Sequence, residues 1–249
     1  MSKRFYVAQP IASGDSIEID AALAHRLAKV LRLRAGAEIV LFDGSGAEAR
    51  VRIETLDGRG GTASVAARFD GMAEPRVRVH LYQSITKGER FEWLVEKGAE
   101  IGVARFVPLI TARSVVKTGA GGSKAERWRR IAVEAAEQCG RSAVPRVDAP
   151  LAFDDALASA EGVLLLPYES AGHTASTIQS ELDAEIDALY ALGAVSIFIG
   201  PEGGFEEAEI ARARAAGAAI VTVGARVLRS ETAGLVASML VMHASGELG

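Results

Sequence analysis

Near its start the chain has short stretches of alternating or apolar residues: Ser16-Ile17-Glu18-Ile19, Glu38-Ile39-Val40-Leu41-Phe42 and Arg50-Val51-Arg52-Ile53-Glu54. Alternation puts successive side chains on opposite faces, so each stretch reads as a short β-strand. Asp43-Gly44 and Asp57-Gly58 supply hairpin-type turns. Over residues 20–33 the period becomes helical, with Asp20 at the N-cap and Leu23, Leu27, Val30 and Leu31 on the inner face. The pattern predicts a small, β-rich, barrel-like unit over residues 1–73. Gly71-Met72-Ala73-Glu74-Pro75 ends it, because Gly and Pro interrupt any regular element there.

From residue 74 to 249 strand and helix periods alternate. An alternating strand, Arg76-Val77-Arg78-Val79-His80-Leu81-Tyr82, leads to a helix from about Gly88 with Phe91, Leu94, Val95, Ala99 and Gly102 on one face. The strand over 105–110 follows. Residues 117–122 read as a loop, and Ser123 with Glu126 forms a capping box for a helix running to Gly140. Trp128, Ile131, Ala132, Ala135, Ala136 and Cys139 make its buried stripe. Apolar strands are expected over 162–167, 195–199 and 219–223, and the last helix, 232–243, is apolar on nearly every side. This βαβ rhythm predicts an α/β domain, a parallel sheet with helices on both faces.

The chain of 249 residues is 49% hydrophobic, enough for a sizeable core. It has no run of eighteen apolar residues, no apolar signal core at its N-terminus and a single cysteine, Cys139, which excludes an internal disulfide. These features predict a soluble, cytoplasmic protein. No His/Cys/Asp cluster at ligand spacing appears, so no metal is expected. The net charge of -4 is unevenly spread. Residues 1–73 hold 10 basic against 9 acidic side chains, residues 74–146 hold 14 against 8, and residues 147–249 hold 4 against 15. The first helix carries His25, Lys29 and Arg32 at i, i+4 and i+7, with Arg26 and Arg34 beside them. That stripe suits RNA phosphates, and it equally suits a plain solvated helix face.

Two glycine-rich turns carry the candidate chemistry: Gly200-Pro201-Glu202-Gly203-Gly204-Phe205 and Val223-Gly224-Ala225-Arg226-Val227-Leu228-Arg229-Ser230-Glu231-Thr232-Ala233. Each follows an apolar strand and opens a helix, which places both at the carboxyl edge of the sheet, where open α/β folds bind ligands. Tyr168-Glu169-Ser170 gives a third loop at that edge. The first turn lacks the Lys-Ser/Thr ending of a nucleoside-triphosphate loop and is not Gly-x-Gly-x-x-Gly, so phosphate is not demanded. The pair suits a backbone-lined slot for a nucleoside-like moiety, with Glu202, Arg229 and Glu231 as nearby polar groups; each turn taken alone is also an ordinary strand-to-helix connection.

Several further segments belong to one set with these turns: His25-Arg26-Leu27-Ala28-Lys29-Val30-Leu31-Arg32, Lys87-Gly88-Glu89-Arg90-Phe91-Glu92-Trp93, Glu100-Ile101-Gly102-Val103, Glu126-Arg127-Trp128 and Glu137-Gln138-Cys139-Gly140-Arg141-Ser142. In order and spacing the chain resembles the small-subunit (16S) ribosomal RNA uracil-N3 methyltransferases of the SPOUT class. The resemblance implies a PUA-like RNA-binding domain over 1–73 and a trefoil-knotted methyltransferase domain over 74–249. It implies S-adenosyl-L-methionine held by Leu166, Pro167, Gly200, Glu202, Gly203, Gly204, Val223, Gly224, Leu228, Ser230, Thr232 and Ala233. Position 230 is Ser where the family motif usually has Thr, which keeps the hydroxyl.

Uracil N3 bears an imide proton that must leave, so a base and a charge-stabilising cation are expected: Glu202 or Glu231 for the proton, Arg229 for charge on a uracil oxygen. His25, Arg26, Lys29, Arg32, Arg113, Lys117, Gln138 and Arg141 are the expected RNA contacts. A homodimer on the small ribosomal subunit is implied, with no membrane partner. Two alternatives stay open: methylation of another RNA atom, such as a transfer-RNA ribose 2'-hydroxyl, and a non-catalytic RNA-binding assembly factor.

Overall fold

A computed structural model describes residues 4–11, 13–72, 74–114, 122–169 and 176–248, the side chains of 122, 123, 186 and 188 excepted. The chain divides into two units, one of residues 1–74 with 136–144 and one of 75–135 with 145–249. Residues 136–144, expected within the second domain, therefore cluster with the first unit. Lys117 and most of the 117–122 loop lie outside the described residues, as does the side chain of Ser123 in the expected capping box.

In the first unit five strands form one sheet in the order β1-β3-β4-β5-β2: β1 Arg4–Tyr6, β2 Ser16–Ile19, β3 Glu38–Phe42, β4 Ala47–Leu56 and β5 Gly61–Asp70. All neighbours are antiparallel except β1 and β3. The alternation expected over 50–54 extends to a ten-residue strand in β4, with Ala49, Val51 and Ile53 buried and Arg50 and Arg52 exposed. Its inner side chains join Phe5, Ile17, Ile19, Leu23, Leu27, Ile39 and Leu41 in one apolar cluster.

The helix between β2 and β3 is shorter than its periodicity suggests. Asp20 caps α1, Ala21–His25, by accepting from the Leu23 amide, but residues Arg26–Val30 wind as a π-helix, with Leu31 N donating to Arg26 O at 3.0 Å. The wider turn shifts the phase by about one residue. Val30, expected inside, is consequently 67% exposed. The element ends at Arg32, whose φ of 55° is the one positive value among the described non-glycine residues.

The second unit is built on an all-parallel sheet in the order β12-β10-β11-β6-β7-β8, with β9 pairing β7. Its elements are β6 Arg78–Ser84, α2 Arg90–Ile101, β7 Arg105–Ile110, α3 Gly122–Cys139, β8 Arg146–Val147, β9 Leu151–Ala152, α4 Phe153–Ala158, β10 Val163–Pro167, α5 Ile178–Ala184, α6 Ile186–Leu192, β11 Ala194–Ile199, α7 Glu207–Ala215, β12 Ala219–Val221 and α8 Ser230–Ala244. The last turn of α3 clusters with the first unit. Continuous apolar runs suit strands covered on both faces, and β11 is buried at all six positions. Tyr82 and Phe198 stack across β6 and β11 at 4.5 Å between ring centres. Helix α8 packs on α2, β6 and β11; it buries Gly234, Leu235, Ala237, Ser238, Val241 and Met242 while Met239 stays half-exposed. No helix among the described residues is long and apolar enough to cross a membrane.

At the amino end of the sheet His80 is buried, and its Nδ1 has no partner among the described residues. Burial, outweighing the nearby Glu161, lowers its affinity for a proton below the ordinary value of 6.5. Below about pH 6.5 the unfolded chain therefore binds a proton that the native state resists. Stability is complete above that pH and falls as acidity rises. Urea unfolding at pH 7.5 and pH 5.5 should show a larger loss for the wild type than for His80→Gln.

Candidate functional site

Strand β10 lies between β11 and β12, so the loops leaving the carboxyl ends of all three strands are neighbours. Together they enclose a cavity of about 310 Å³, at the lower end of the small-molecule range of about 300–1,000 Å³. Each wall follows from local chemistry. After β11, Gly204 N donates to Pro201 O at 2.9 Å, and Gly204 takes φ +69°, a left-handed conformation that suits glycine. Phe205 anchors this turn, buried against Phe153 at 5.5 Å. After β10, Tyr168 N donates to Val221 O and the Tyr168 hydroxyl to Glu207. After β12, Thr222 Oγ1 accepts from Gly224 N at 3.1 Å, and the chain runs exposed from Gly224 to Val227 before α8 starts.

Gln83 Nε2, at the end of β6, donates to Ser230 Oγ at 2.8 Å, and Ser230 Oγ donates to Gly200 O at 2.5 Å. Three residues that are distant in sequence thus form a single hydrogen-bonded chain, and Gln83 is fully buried. Next to it Arg90, the first residue of α2, stands 3.6 Å from Glu202 and 3.7 Å from Glu231.

Of the expected cofactor contacts, Pro167, Gly200, Glu202, Gly204, Val223, Gly224, Leu228, Ser230 and Ala233 line the cavity, as does Arg229. Three do not. Leu166 points into the apolar core, a Cβ on Gly203 would face Arg113 at 3.5 Å, and Thr232 is absent from the lining. Glu231 also lies off the cavity, 93% buried, with Oε2 unpartnered among the described residues. Glu169, Ile199, Phe205 and Thr222, not among the expected cofactor contacts, line it as well. Arg90 and Gln83 were missed as well. Arg90 sits within the Lys87-to-Trp93 motif and Gln83 ends a strand, but neither shows a pattern that points to the turns more than a hundred residues away.

The expected RNA residues fare unevenly. Arg141 is a correction: only 6% exposed, it is paired with Glu74, while its carbonyl accepts from Arg4. A buried, paired guanidinium does not serve as a surface guide. Arg26 is held by Glu137 at 2.7 Å and lies over the Phe5 ring. Arg113 donates to Gly203 O at 2.9 Å and braces the glycine turn from outside. His25, Lys29, Arg32 and Gln138 are exposed. Among the described residues no three His, Cys, Asp or Glu side chains group to hold a metal ion.

The parallel α/β sheet with its loop-walled cavity and the small β-rich unit correspond to the two matched parts of an RNA methyltransferase. A family model described as an RNA methyltransferase domain matches residues 73–242, and one described as an RNA methyltransferase PUA domain matches 19–65. Ribosomal RNA small subunit methyltransferase E of Bacillus subtilis is 31% identical over 239 residues, covering 94% of this chain and 93% of the relative. Its Synechocystis counterpart is 34% identical, covering 95% of this chain and 76% of the relative. Two solved structures share the fold: a Legionella pneumophila methyltransferase in complex with the bound cofactor SAM (TM-score 0.84, 30% identity, 98% of each chain), and the Neisseria gonorrhoeae methyltransferase E bound to S-adenosyl methionine (TM-score 0.82, 29% identity, 98% of each chain). The chain belongs to the ribosomal RNA small subunit methyltransferase E family.

Ser230→Ala removes both the acceptor for Gln83 and the donor to Gly200. Gln83 Nε2 then keeps only its long bond to Ser84 O at 3.4 Å, and a poorly satisfied buried amide costs about 1–3 kcal/mol. Chemical denaturation should show a loss of that order for Ser230→Ala, and a smaller one for Ser230→Thr, which keeps the hydroxyl.

Proposed function

We propose that this protein methylates N3 of a uridine in 16S ribosomal RNA with S-adenosylmethionine as donor. The observation that carries the donor site is the cavity, whose mixed lining suits that molecule. Ile199, Phe205, Val227 and Leu228 offer apolar walls for a purine ring, the glycine turns offer backbone edges, and Glu169, Glu202, Arg226 and Arg229 offer charges of both signs. Such a donor bears a carboxylate, an ammonium and ribose hydroxyls, which need partners of both signs. When bound it supplies an electrophilic methyl carbon on sulfur. Leu166 anchors its loop in the apolar core, and Gly203 holds its turn through the bond from Arg113.

The protein's remaining work is to align N3, keep water out and handle one proton. Glu202, which lines the cavity, or Glu231, beside it at Arg90, takes the proton, and Arg229, one of two cations lining the cavity among the described residues, offsets charge on a uracil oxygen. The base is presented unpaired, because the N3 edge is otherwise engaged. Exposed cations of the first unit hold the RNA backbone. Lys29 and Arg32 are exposed and make no ion pair with a described residue, and Arg32 keeps its left-handed backbone at the end of the π-helix. The reading includes the domain division at 73/74, a trefoil knot through the three cavity loops, a cytoplasmic homodimer on the small subunit and no metal.

Mass spectrometry of 16S ribosomal RNA from cells with and without the gene decides the product: loss of one N3-methyluridine supports the reading, and loss of a ribose methyl group or of nothing overturns it. Gly200→Val would press a branched side chain on the Phe205 ring, which a Cβ alone meets at 3.1 Å, so calorimetry should show weakened S-adenosylmethionine binding. Lys29→Ala with Arg32→Gly should weaken RNA binding and flatten its salt dependence while cofactor affinity stays intact. Arg32→Gly alone should not lower the melting temperature, because glycine suits φ 55°.

A further inference from the structure

Arg90 makes only long contacts with its two carboxylates, 3.6 Å to Glu202 and 3.7 Å to Glu231, beyond hydrogen-bond reach. Its side chain is 45% exposed, so guanidinium N–H donors stay available. Glu231 is the opposite: its side chain is 9% exposed and its Oε2 has no partner among the described residues. A buried carboxylate oxygen without a donor is costly, and native proteins keep such groups chiefly where something else is to bind. The trio carries one positive and two negative charges, which disfavours a phosphate. A neutral ligand edge with an N–H beside a carbonyl suits it, the carbonyl accepting from Arg90 and the N–H donating to Glu231.

We infer that Arg90 and Glu231 form the subsite that reads the imide edge of the acceptor base, with Arg90 as a catalytic residue. This rests on the methyl-transfer reading above and deepens it. Arg90 donates to a uracil carbonyl oxygen and takes up the charge that grows there as N3 loses its proton. The N3–H bond breaks and its proton passes to the Glu231 carboxylate. The N3 electron pair forms the new bond to the methyl carbon, and the carbon–sulfur pair leaves with sulfur. Glu202, which lines the cavity, stays on the cofactor side of Arg90. A cytosine placed the same way would set its N3 lone pair against the carboxylate and be rejected.

The test is a cycle of Arg90→Gln, Glu231→Gln and the double variant, with Arg90→Lys as the conservative control. Calorimetry gives the affinity for S-adenosylmethionine, melting reports folding, and single-turnover methylation uses small subunits from cells lacking the gene. Cofactor affinity and melting temperature are expected to stay near wild type. Each Gln variant should lose about 10²-fold or more in rate. The double variant should fall no more than about tenfold below the worse single, because both groups act on one base edge. Arg90→Lys should recover part of the loss. Multiplying losses would overturn the inference, since the two groups would then act separately. So would an unchanged rate in Arg90→Gln, or a loss of cofactor binding or folding that accounts for its rate. A wild type that forms no N3-methyluridine would remove the underlying reading instead, whereas an active wild type with an indifferent Arg90 removes only this inference.

Discussion

The hydroxyl of Ser230, held between the Gln83 amide and the Gly200 carbonyl, fixes the parts of the site in one frame. It joins the end of β6, the start of α8 and the turn after β11, and with Gln83 and Ser230 buried an unmade hydrogen bond there is expensive. With Ser230 turned inward, its neighbours on α8 must face elsewhere, because successive helical residues are rotated by about 100°. Glu231 accordingly turns off the cavity towards Arg90, while Arg229, in extended backbone just before the helix, lines the cavity beside Ser230. The same close approach explains Gly234: a Cβ there would stand 2.3 Å from Gln83 Oε1, so only glycine lets α8 settle on this strand.

The cost of this arrangement is concentrated at one place. Six buried side-chain N or O atoms have no partner among the described residues. Four of them, on Gln83, Ser84, Thr86 and Glu231, lie at the carboxyl end of β6 and the start of α8. A fold that gathers most of its unpartnered buried polar groups here departs from stability rules where ligand chemistry is to be done. The strand order sets the location. By inserting β10 between β11 and β12, it gathers three loops into a single wall, while β6 beside β11 brings Gln83 within reach.

Much of this was legible in the sequence, for physical reasons. Glycine turns after apolar runs mark the carboxyl edge of a parallel sheet regardless of tertiary detail, so Gly200, Gly204 and Gly224 were found directly. What was missed depends on approach in three dimensions. Arg90 reaches Glu202 and Glu231 only because α2 begins beside both turns. The π-helix at Arg26–Val30 keeps an α-helical pattern of residue types, so the outward turn of Val30 leaves no trace in periodicity. Strand β1 has three residues, too few to show a period, and β5 is exposed along much of its length, without the clean alternation that marks a strand.

Charge shows the same limit. Residues 74–146 carry the largest basic excess, yet many of their cations are committed: Lys97 to Glu96 and Glu100, Arg105 to Asp148, Arg127 to Glu92, Arg141 to Glu74 and Arg146 to Asp148. A cation that already holds a carboxylate contributes little to a field felt by a distant phosphate. Residues 1–73 carry an excess of only one, but Lys29, Arg32, Arg34, Arg50 and Arg52 are exposed and make no hydrogen bond or ion pair through their side chains with a described residue. Arg52 lies beside Gly36, in the segment that follows Arg34, and Lys29 lies against the β4–β5 turn at Gly58. The helix stripe thus continues across the outward face of β4. Attraction for a polyanion is set by unpaired, exposed charge rather than by net count, so the first unit offers more of it than an excess of one suggests.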